Sequence, residues 1–302
     1  MLNNKTFKDS GILICSFFLM TNCNHNPKDA KEIRKEFHYR NDTGLLVKRT
    51  YYEELDEELD KEMNILTEKT FKVKNIDTVL HGYAKSFYQN GQLMGEEYYI
   101  DGVKHGVTQQ FYPNGKIKHK GWFKNDKLDS IGIAYYEDGQ IETKGYFRKG
   151  VKIGEQVFYY PSGKVHKYLF NDPLGRLIYR KEYANDGAVL NENGEQNPQL
   201  IYKGDDAEFF PNETLQVTIY APTPPDSEVS LYINIKDKGG QDVVDSRKVP
   251  IKNGKAIYNR ELNELGQYYF KISLFFRDIK SGKKETFYNS FEFKVIPAPQ
   301  GL

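Results

Sequence analysis

Side chains suited to nucleophilic, metal-binding or covalent chemistry are few in this sequence of 302 residues. There are two cysteines, Cys15 and Cys23, and six histidines. Both cysteines lie near the start, so the chain beyond them can form neither a disulfide framework nor a cysteine-based zinc site. The histidines lack the spacing of a metal-ligand set, and we predict structural roles for them.

The sequence also lacks the motifs of common catalytic sites. It contains no G-x-S-x-G elbow, no phosphate-binding loop, no dinucleotide-binding glycine motif and no H-E-x-x-H helix. The net charge is only +1, which gives the chain no general attraction to nucleic acid. We therefore predict that the protein is not an enzyme, and that it has no catalytic residue, no cofactor, no metal site and no nucleic-acid partner.

The chemistry that remains for Cys23 is attachment to a membrane. Lys5 and Lys8 precede an apolar run over residues 11–20, and the chain becomes polar from Thr21 onward. This is the layout of a secretory signal. The run is too short for a membrane-spanning helix, which needs about 20 apolar residues.

A cysteine at the end of such a run resembles a bacterial lipoprotein signal, although Asn22 departs from the small residue usual before that cysteine. The resemblance implies removal of residues 1–22 and lipidation of Cys23 as the first mature residue. The protein would then be lipid-anchored to the outer membrane of the cell envelope, on its periplasmic or cell-surface side, since several acyl chains hold a soluble body firmly.

The rest of the chain is organised around residues 79–174, which repeat one phrase four times in lines of 24 residues. Self-similarity at a fixed period marks a repeat architecture. One column holds four structural turn glycines: Gly91, Gly115, Gly139 and Gly163. A second column holds four tyrosines, which form a candidate binding face: Tyr88, Tyr112, Tyr136 and Tyr160.

Each repeat has the pattern of a β-hairpin. In the second repeat, one strand over residues 106–112 leads into Pro113-Asn114-Gly115-Lys116 and a return strand over residues 117–123. Asn-Gly between alternating apolar residues is a strong hairpin signal, because the tight turn needs positive φ. Four repeats therefore predict an eight-stranded antiparallel meander.

The phrase G-x-x-x-x-[FY]-Y-x-[ND]-G-x-[LIV] resembles the bacterial MORN-repeat variant, the YwqK-like family, which is often labelled toxin–antitoxin system antitoxin. The resemblance covers residues 79–174 strongly and residues 33–52 weakly. Ser130 replaces the repeat glycine, and Ser162-Gly163 replaces Asn-Gly, and both changes keep the turn chemistry. The resemblance implies a protein-binding or immunity role. Eukaryotic MORN proteins are more distantly similar and imply scaffolding and membrane association.

The segments around the repeats differ in pattern. Residues 23–78 are predicted to form a polar tether, a degenerate hairpin over residues 33–52 and a short acidic helix over residues 53–63. We favour a solvated helix that covers a sheet edge over a calcium or basic-partner site. Residues 175–199 are predicted to form an atypical capping hairpin and a linker, and part of this segment resembles a YD repeat.

Residues 200–302 predict about seven short strands, which is typical of an Ig-like β-sandwich. The phrase Leu265-Gly266-Gln267-Tyr268-Tyr269-Phe270 resembles the Ig corner, which implies that Tyr268 hydrogen-bonds back to the corner backbone. The predicted fold class is therefore all-β: an antiparallel meander of four hairpin repeats, an Ig-like β-sandwich and one short acidic helix near the N-terminus.

These features together predict a non-enzymatic, membrane-anchored, extracytoplasmic binding or scaffold lipoprotein that presents its repeat sheet. Its partners would be the membrane, through the lipid, and another protein, either a toxin or an envelope component. The alternative is an antitoxin or immunity protein that binds a toxin through the repeat face. A carbohydrate-binding surface protein is a third hypothesis, since exposed aromatic side chains can stack on sugars.

Overall fold

The structure is a computed structural model. It describes residues 31–40, 44–53, 64–74, 77–202, 207–237 and 243–298. The predicted signal over residues 1–22, the lipidation site Cys23 and the polar tether before residue 31 lie outside these ranges. So do residues 54–63, which make up nearly all of the predicted acidic helix, while Glu53 ends a strand.

Every regular element in the described residues is a β-strand, so the all-β prediction is confirmed. The chain forms two compact units, residues 1–128 and residues 129–302. In the first unit, the strands pair antiparallel in chain order, except that the short strand β6 pairs with β5 beside β7. These strands are β1 (Lys31–Arg40), β2 (Leu45–Glu53), β3 (Asn64–Lys74), β4 (Asp77–Phe87), β5 (Leu93–Ile100), β6 (Val103–Lys104), β7 (Gly106–Phe111) and β8 (Ile117–Lys124).

The second unit begins with further strands of the same kind and ends with a two-sheet region. Its first strands again pair antiparallel in chain order. They are β9, which starts at the boundary (Lys127–Tyr135), β10 (Ile141–Arg148), β11 (Val151–Tyr159), β12 (Val165–Asn171), β13 (Leu177–Tyr183) and β14 (Val189–Gly194). The consecutive hairpins predicted from the 24-residue phrase are therefore confirmed.

Alternation of side chains explains why these segments form strands. Successive residues of a strand point to opposite faces, and on β8 His119, Gly121 and Phe123 are buried while their neighbours are more exposed. One repeat later, Thr143, Gly145 and Phe147 are buried on β10 in the same way. Each repeat thus places the same columns on the same face of the sheet.

The turn glycines lie in hairpin loops at one end of the repeat strands. At Gly115, the amide of Tyr112 donates to the Lys116 carbonyl (2.8 Å), and the glycine amide donates to the Tyr112 carbonyl (2.9 Å). Here the glycine (φ 81°) has positive φ and Asn114 does not. The loop is therefore a type I turn followed by a left-handed glycine, with Pro113 at a position that type I turns favour.

The same hydrogen bonds recur at Gly91, Gly139 and Gly163, whose φ angles are 78°, 95° and 78°. At the opposite end of the strands the loops are two-residue turns. Both central residues have positive φ at Asn125-Asp126 and at Lys149-Gly150, which is the type I′ geometry.

The last part of the second unit is a sandwich of two sheets. A three-stranded sheet has the order β15-β17-β20, and a five-stranded sheet has the order β16-β22-β21-β18-β19. The strands are β15 (Gln199–Ile201), β16 (Ala207–Phe209), β17 (Glu213–Tyr220), β18 (Ser227–Asp237), β19 (Val243–Val249), β20 (Lys255–Leu262), β21 (Gly266–Asp278) and β22 (Lys284–Val295).

Both sheets contribute to one hydrophobic core. Tyr258 of the smaller sheet meets Phe270 of the larger one edge-on, with ring centroids 5.6 Å apart, and Phe270 stacks on Phe291 at 4.7 Å. The hydroxyl of Tyr268 donates to the Glu264 carbonyl at 2.9 Å, so the predicted hydrogen bond to the corner backbone is present. Phe270 therefore contacts an aromatic ring from each of the two sheets.

Candidate functional site: the faces of the repeat sheet

The tyrosine column that was predicted as a binding face holds neighbouring hairpins together. The hydroxyl of Tyr88 donates to the Phe111 carbonyl (2.6 Å), that of Tyr136 to the Tyr159 carbonyl (2.7 Å), and that of Tyr160 to the Tyr183 carbonyl (2.8 Å). Each bond reaches 23 residues along the chain. Tyr112, the fourth member of the column, is also engaged in an interaction.

These bonds give the column a structural role, since each hydroxyl connects one turn to the next strand pair. Burial raises the pKa of Tyr88. Burial also raises the pKa of Tyr136, with the nearby carboxylates of Glu142 and Asp138 adding to the effect. The hydroxyls of Tyr88 and Tyr136 therefore stay protonated and act as donors at physiological pH. The use of this column as a partner-binding face stays a prediction.

One face of the sheet in the first unit contains a cavity of about 230 Å³, whose lining includes the small residues Ala84, Ser86 and Gly95. Ala84 lies opposite Glu97, and Ser86 lies opposite Gly95, in the pairing of β4 with β5. These short side chains leave the space that the cavity occupies. We call this the small-residue face.

The charged groups of the small-residue face satisfy one another. Glu97 accepts hydrogen bonds from the Tyr99 hydroxyl (2.6 Å) and from Lys104 Nζ (2.5 Å). Lys104 is buried, and its Nζ lies 5.1 Å from the centre of the Phe123 ring, within the range of a cation–π contact. Lys104 is therefore a buried but paired charge at the far end of the small-residue face.

His119 lies on the same face and is buried. Its Nδ1 lies 2.9 Å from Gln110 Oε1, and burial, with the charge of Lys118, lowers its pKa to about 4. The ring is therefore neutral at pH 7. Among the described residues, no group of three or more histidine, cysteine, aspartate or glutamate side chains is arranged to hold a metal ion.

The other face of the first unit exposes aromatic side chains, and we call it the aromatic face. Tyr83 and Tyr98 are cross-strand partners whose rings meet edge-on at 5.0 Å, and Trp122 lies opposite Val107 on the next strand pair. Tyr83 is 49% exposed and Trp122 is 46% exposed. A row of polar residues lies beside these aromatic side chains on the same face. In this polar row, Lys85 pairs with Glu96 at 3.3 Å.

In the second unit, the corresponding face is covered by the chain itself. Phe170 is in the same repeat column as Tyr98 and Trp122, and it is fully buried in a cluster with Tyr168, Tyr179, Tyr183 and Tyr220. Tyr220 ends strand β17, and residues 221–226 follow it across the face. We call residues 220–226 the strap.

A buried hydrogen-bond network fixes the first part of the strap. The Tyr168 hydroxyl donates to Glu155 Oε1 (2.9 Å) and accepts from the Thr223 amide (2.7 Å). The Thr223 hydroxyl also donates to Glu155. Burial raises the pKa of Glu155, which these hydrogen bonds and Lys144 oppose. Burial and the adjacent Glu155 raise the pKa of Tyr168 well above its usual range.

A buried ammonium group fixes the end of the strap. Lys181 is only 1% exposed, and its Nζ lies 2.7 Å from Asp226, 3.4 Å from Glu192 and 3.5 Å from Asp278. Burial alone would lower the pKa of Lys181, but the hydrogen bond and charge of Asp226, together with Glu192, raise it overall. The Tyr183 hydroxyl donates to the other oxygen of Asp226 at 2.8 Å.

Sequence reasoning missed Lys181, Glu155 and the strap. Lys181 alternates in phase with Tyr179 and Tyr183, and a lysine in phase with buried aromatic residues is the signal that indicates a buried charge. The prolines of the strap have the composition of a turn-rich connection, and sequence alone does not reveal which surface such a segment contacts.

Comparison with known proteins agrees with the repeat analysis. Residues 80–101, 104–125 and 152–172 match a family model. The matched family is the MORN repeat variant. The repeat that carries Ser130, whose φ is 115°, lies outside the matched MORN segments, although its strands pair as in the others. The matched MORN segments contain the tyrosines Tyr88, Tyr112 and Tyr160.

No curated protein has a significantly similar sequence. Among solved structures, the chain is similar to Escherichia coli alpha-2-macroglobulin activated by porcine elastase, with 11% identity and a TM-score of 0.24. That match covers 84% of this chain and 26% of the other, so this chain spans about a quarter of its length. Within the described residues, no helix is long and apolar enough to cross a membrane.

Proposed function

We propose that this protein is a non-enzymatic binding or scaffold protein of the cell envelope. It is held to the membrane by a lipid on Cys23, and it presents its repeat sheet to a protein partner. The binding role is supported by one observation above all: the aromatic face of the first unit exposes about half of Tyr83 and of Trp122. Exposed aromatic side chains grouped on one face are typical of interaction surfaces.

The MORN repeat variant adds support, because repeats of a single supersecondary unit build extended surfaces that bind through many similar contacts. The tyrosine hydroxyl bonds make that surface stiff, and a stiff surface loses less conformational entropy when it binds. Membrane attachment is supported by the sequence of the first 23 residues, in which Cys23 follows an apolar run.

Site-specific photo-crosslinking tests the binding role. A photoreactive phenylalanine analogue is placed at position 83 on the aromatic face, and a matched variant carries it at position 232 on the sandwich, where Tyr232 is 38% exposed. We expect irradiation of intact cells to yield a discrete protein adduct at position 83 and none at position 232. Equal labelling at both positions, or none at either, would contradict a binding role for this face.

Cell fractionation tests the anchor. We expect the wild-type chain to incorporate labelled fatty acid and to sediment with the outer membrane, and Cys23→Ala to lose both properties. Cys15→Ala is the matched control and should behave as wild type. A Cys23→Ala protein that still carries fatty acid would overturn the lipoprotein proposal and leave the binding role untouched.

An antitoxin or immunity role is the narrower form of the proposal, in which the partner is a toxin. Its motivation is the sequence resemblance alone. A crosslinked partner that stops growth when expressed by itself, and is harmless when co-expressed with this chain, would establish that role. A partner without toxicity would remove it.

A further inference from the structure

The strap on the second unit is a proline-rich segment bound to an aromatic sheet face. Its sequence is Tyr220-Ala221-Pro222-Thr223-Pro224-Pro225-Asp226. Three prolines in seven residues each hold φ near −65°, which limits the conformations of the segment before it binds. Such segments lose little entropy on binding and commonly dock on aromatic side chains.

The contacts of the strap fall on every third residue. Tyr220 packs in the aromatic cluster, Thr223 bonds to Tyr168 and Glu155, and Asp226 bonds to Tyr183 and Lys181. The contacting residues are three apart, and the strap ends in a β-turn in which the Ser227 amide donates to the Pro224 carbonyl (3.0 Å). The strap crosses the neighbouring strands β11, β12 and β13, on which these partners lie.

In the first unit, none of the described residues lies as such a segment on the same columns. Tyr98 and Trp122 stand in the column of Phe170, the residue against which Tyr220 packs. Tyr83, Tyr98, Val107 and Trp122 lie on β4, β5, β7 and β8, which at about 4.8 Å per strand gives a row about 14 Å long. An extended segment of about four or five residues spans this length.

The polar row beside the aromatic row supplies charge at both ends. Lys85 and Lys120 are its basic members, and Lys85 pairs with Glu96. In the second unit a lysine, Lys181, receives the acidic end of the strap through Asp226. An acidic residue after the prolines of a partner would therefore complement the lysines of this row.

We propose that the aromatic face of the first unit binds a proline-rich segment of a partner protein, one that ends in an acidic side chain. This inference rests on the proposed binding function and names the chemistry of its partner. The strap indicates the sequence pattern expected of the partner. The pattern is an aromatic or apolar residue, a hydroxyl residue and an acidic residue, spaced three apart among prolines.

The test exploits Trp122, the one tryptophan in the chain. A synthetic heptapeptide with the sequence of the strap is titrated into the full chain while tryptophan emission is recorded. We expect a saturable blue shift with a dissociation constant below about 1 mM, because the indole is transferred from water to an apolar contact. A peptide with all three prolines replaced by alanine should bind at least about tenfold more weakly.

Variants locate the peptide. Tyr83→Ala should weaken binding by about tenfold or more, whereas Tyr288→Ala, which removes an exposed tyrosine of the sandwich, should leave it unchanged. Circular dichroism of each variant confirms that the strands are intact. If Tyr83→Ala does not fold, Lys120→Glu replaces it, and we expect that charge reversal to weaken binding of the acidic peptide.

Three outcomes would overturn the proposal. They are no emission change at 1 mM peptide, equal binding of the alanine peptide, and an emission change caused by an oligosaccharide of N-acetylglucosamine but not by the peptide. If the peptide fails while position 83 still crosslinks a protein in cells, only the proline-rich inference falls. If the crosslink is also absent, the proposed function falls with it.

Discussion

The sandwich and the repeat strands hold similar numbers of aromatic side chains but use them differently. In the sandwich, Phe270, Ile272 and Leu274 on β21 are completely buried between two sheets. In the repeats, the tyrosines of the turn column are only half-buried, and their hydroxyls bond to backbone one repeat away. The sandwich is thus stabilised mainly by removal of apolar surface from water, and the repeats mainly by many similar local bonds.

This difference has a consequence for how each region responds to damage. A closed core cannot refill a lost ring, so one substitution leaves a cavity that many neighbours share. A repeated hydrogen bond is one of several equivalent bonds, so its loss is small and confined to one repeat. The following substitutions sharpen or break this contrast.

The largest effect is expected in the sandwich core. Phe270→Ala removes a ring that stacks on Phe291 and meets Tyr258, and it should lower the free energy of unfolding by about 3–5 kcal/mol. Amide hydrogen exchange on β18 and β21 measures this loss of unfolding free energy. Phe275→Ala, on the same strand but 45% exposed, is the control and should cost less than about 1 kcal/mol. Equal effects would mean that the core is not the main source of stability.

The second test compares two glycines with the same backbone angle. Gly254 and Gly282 both have φ of +70°. A methyl group at Gly254 would lie 2.5 Å from Phe170 and 3.1 Å from the Ala221 carbonyl, whereas nothing lies within 4 Å at Gly282. We expect Gly254→Ala to cost about 1–3 kcal/mol more than Gly282→Ala, because it forces the strap off the aromatic cluster. Chemical denaturation followed by circular dichroism gives both values, and equal values would show that the strap contact contributes nothing.

The third test concerns pH in the repeats. The pKa of His119 is lowered in the folded state to about 4, so the unfolded chain binds more protons once the pH falls below the ordinary value of about 6.5. Stability should therefore fall as the pH is lowered from 7 to 5.5, with His119 contributing about 1–1.5 kcal/mol. Denaturation monitored by Trp122 emission measures it.

His119→Gln is the matched variant for that measurement, since glutamine keeps polar atoms on the small-residue face and does not titrate. His166, whose pKa is lowered by burial and by Lys167, should still contribute a smaller slope in the second unit. A variant that retains the full wild-type pH dependence would show that His119 is not the responsible group.

The smallest effect is expected from the tyrosine column. Tyr160→Phe removes the hydroxyl that donates to the Tyr183 carbonyl, and it should cost about 0.5–1 kcal/mol. Because the bonds are alike, Tyr136→Phe should cost a similar amount, and the double variant should show nearly the sum. Thermal unfolding of the three variants decides this. A loss of several kcal/mol from one hydroxyl would break the contrast between the two regions.

Local features of this molecule could be read from sequence because they depend on neighbouring residues. The strands follow from alternation, the hairpin loops follow from glycines such as Gly115, and the Tyr268 hydrogen bond spans only four residues. The turn geometry was less accessible, because Asn-Gly fits both a two-residue and a three-residue loop, and only the pairing of the flanking strands decides between them.

The contacts that define the candidate site are long-range, and that is why sequence reasoning did not find them. Glu155 and Thr223 are 68 residues apart, and Lys181 and Asp278 are 97 apart. The 24-residue period predicts that columns align, but it does not predict that Phe170 is covered by a later segment while Trp122, in the same column, stays exposed.

The spacing of the tyrosine hydroxyl bonds bears on how such proteins change length over generations. Each bond joins a residue to the carbonyl 23 positions later, and the repeat itself is 24 residues long. A duplication or loss of one 24-residue line within the array therefore gives every tyrosine an equivalent acceptor and every turn an equivalent glycine. The array can therefore gain or lose one repeat at a time while every repeat keeps its turn and its tyrosine hydrogen bond. The area of its surface can change in this way to suit a new partner, without a new type of repeat.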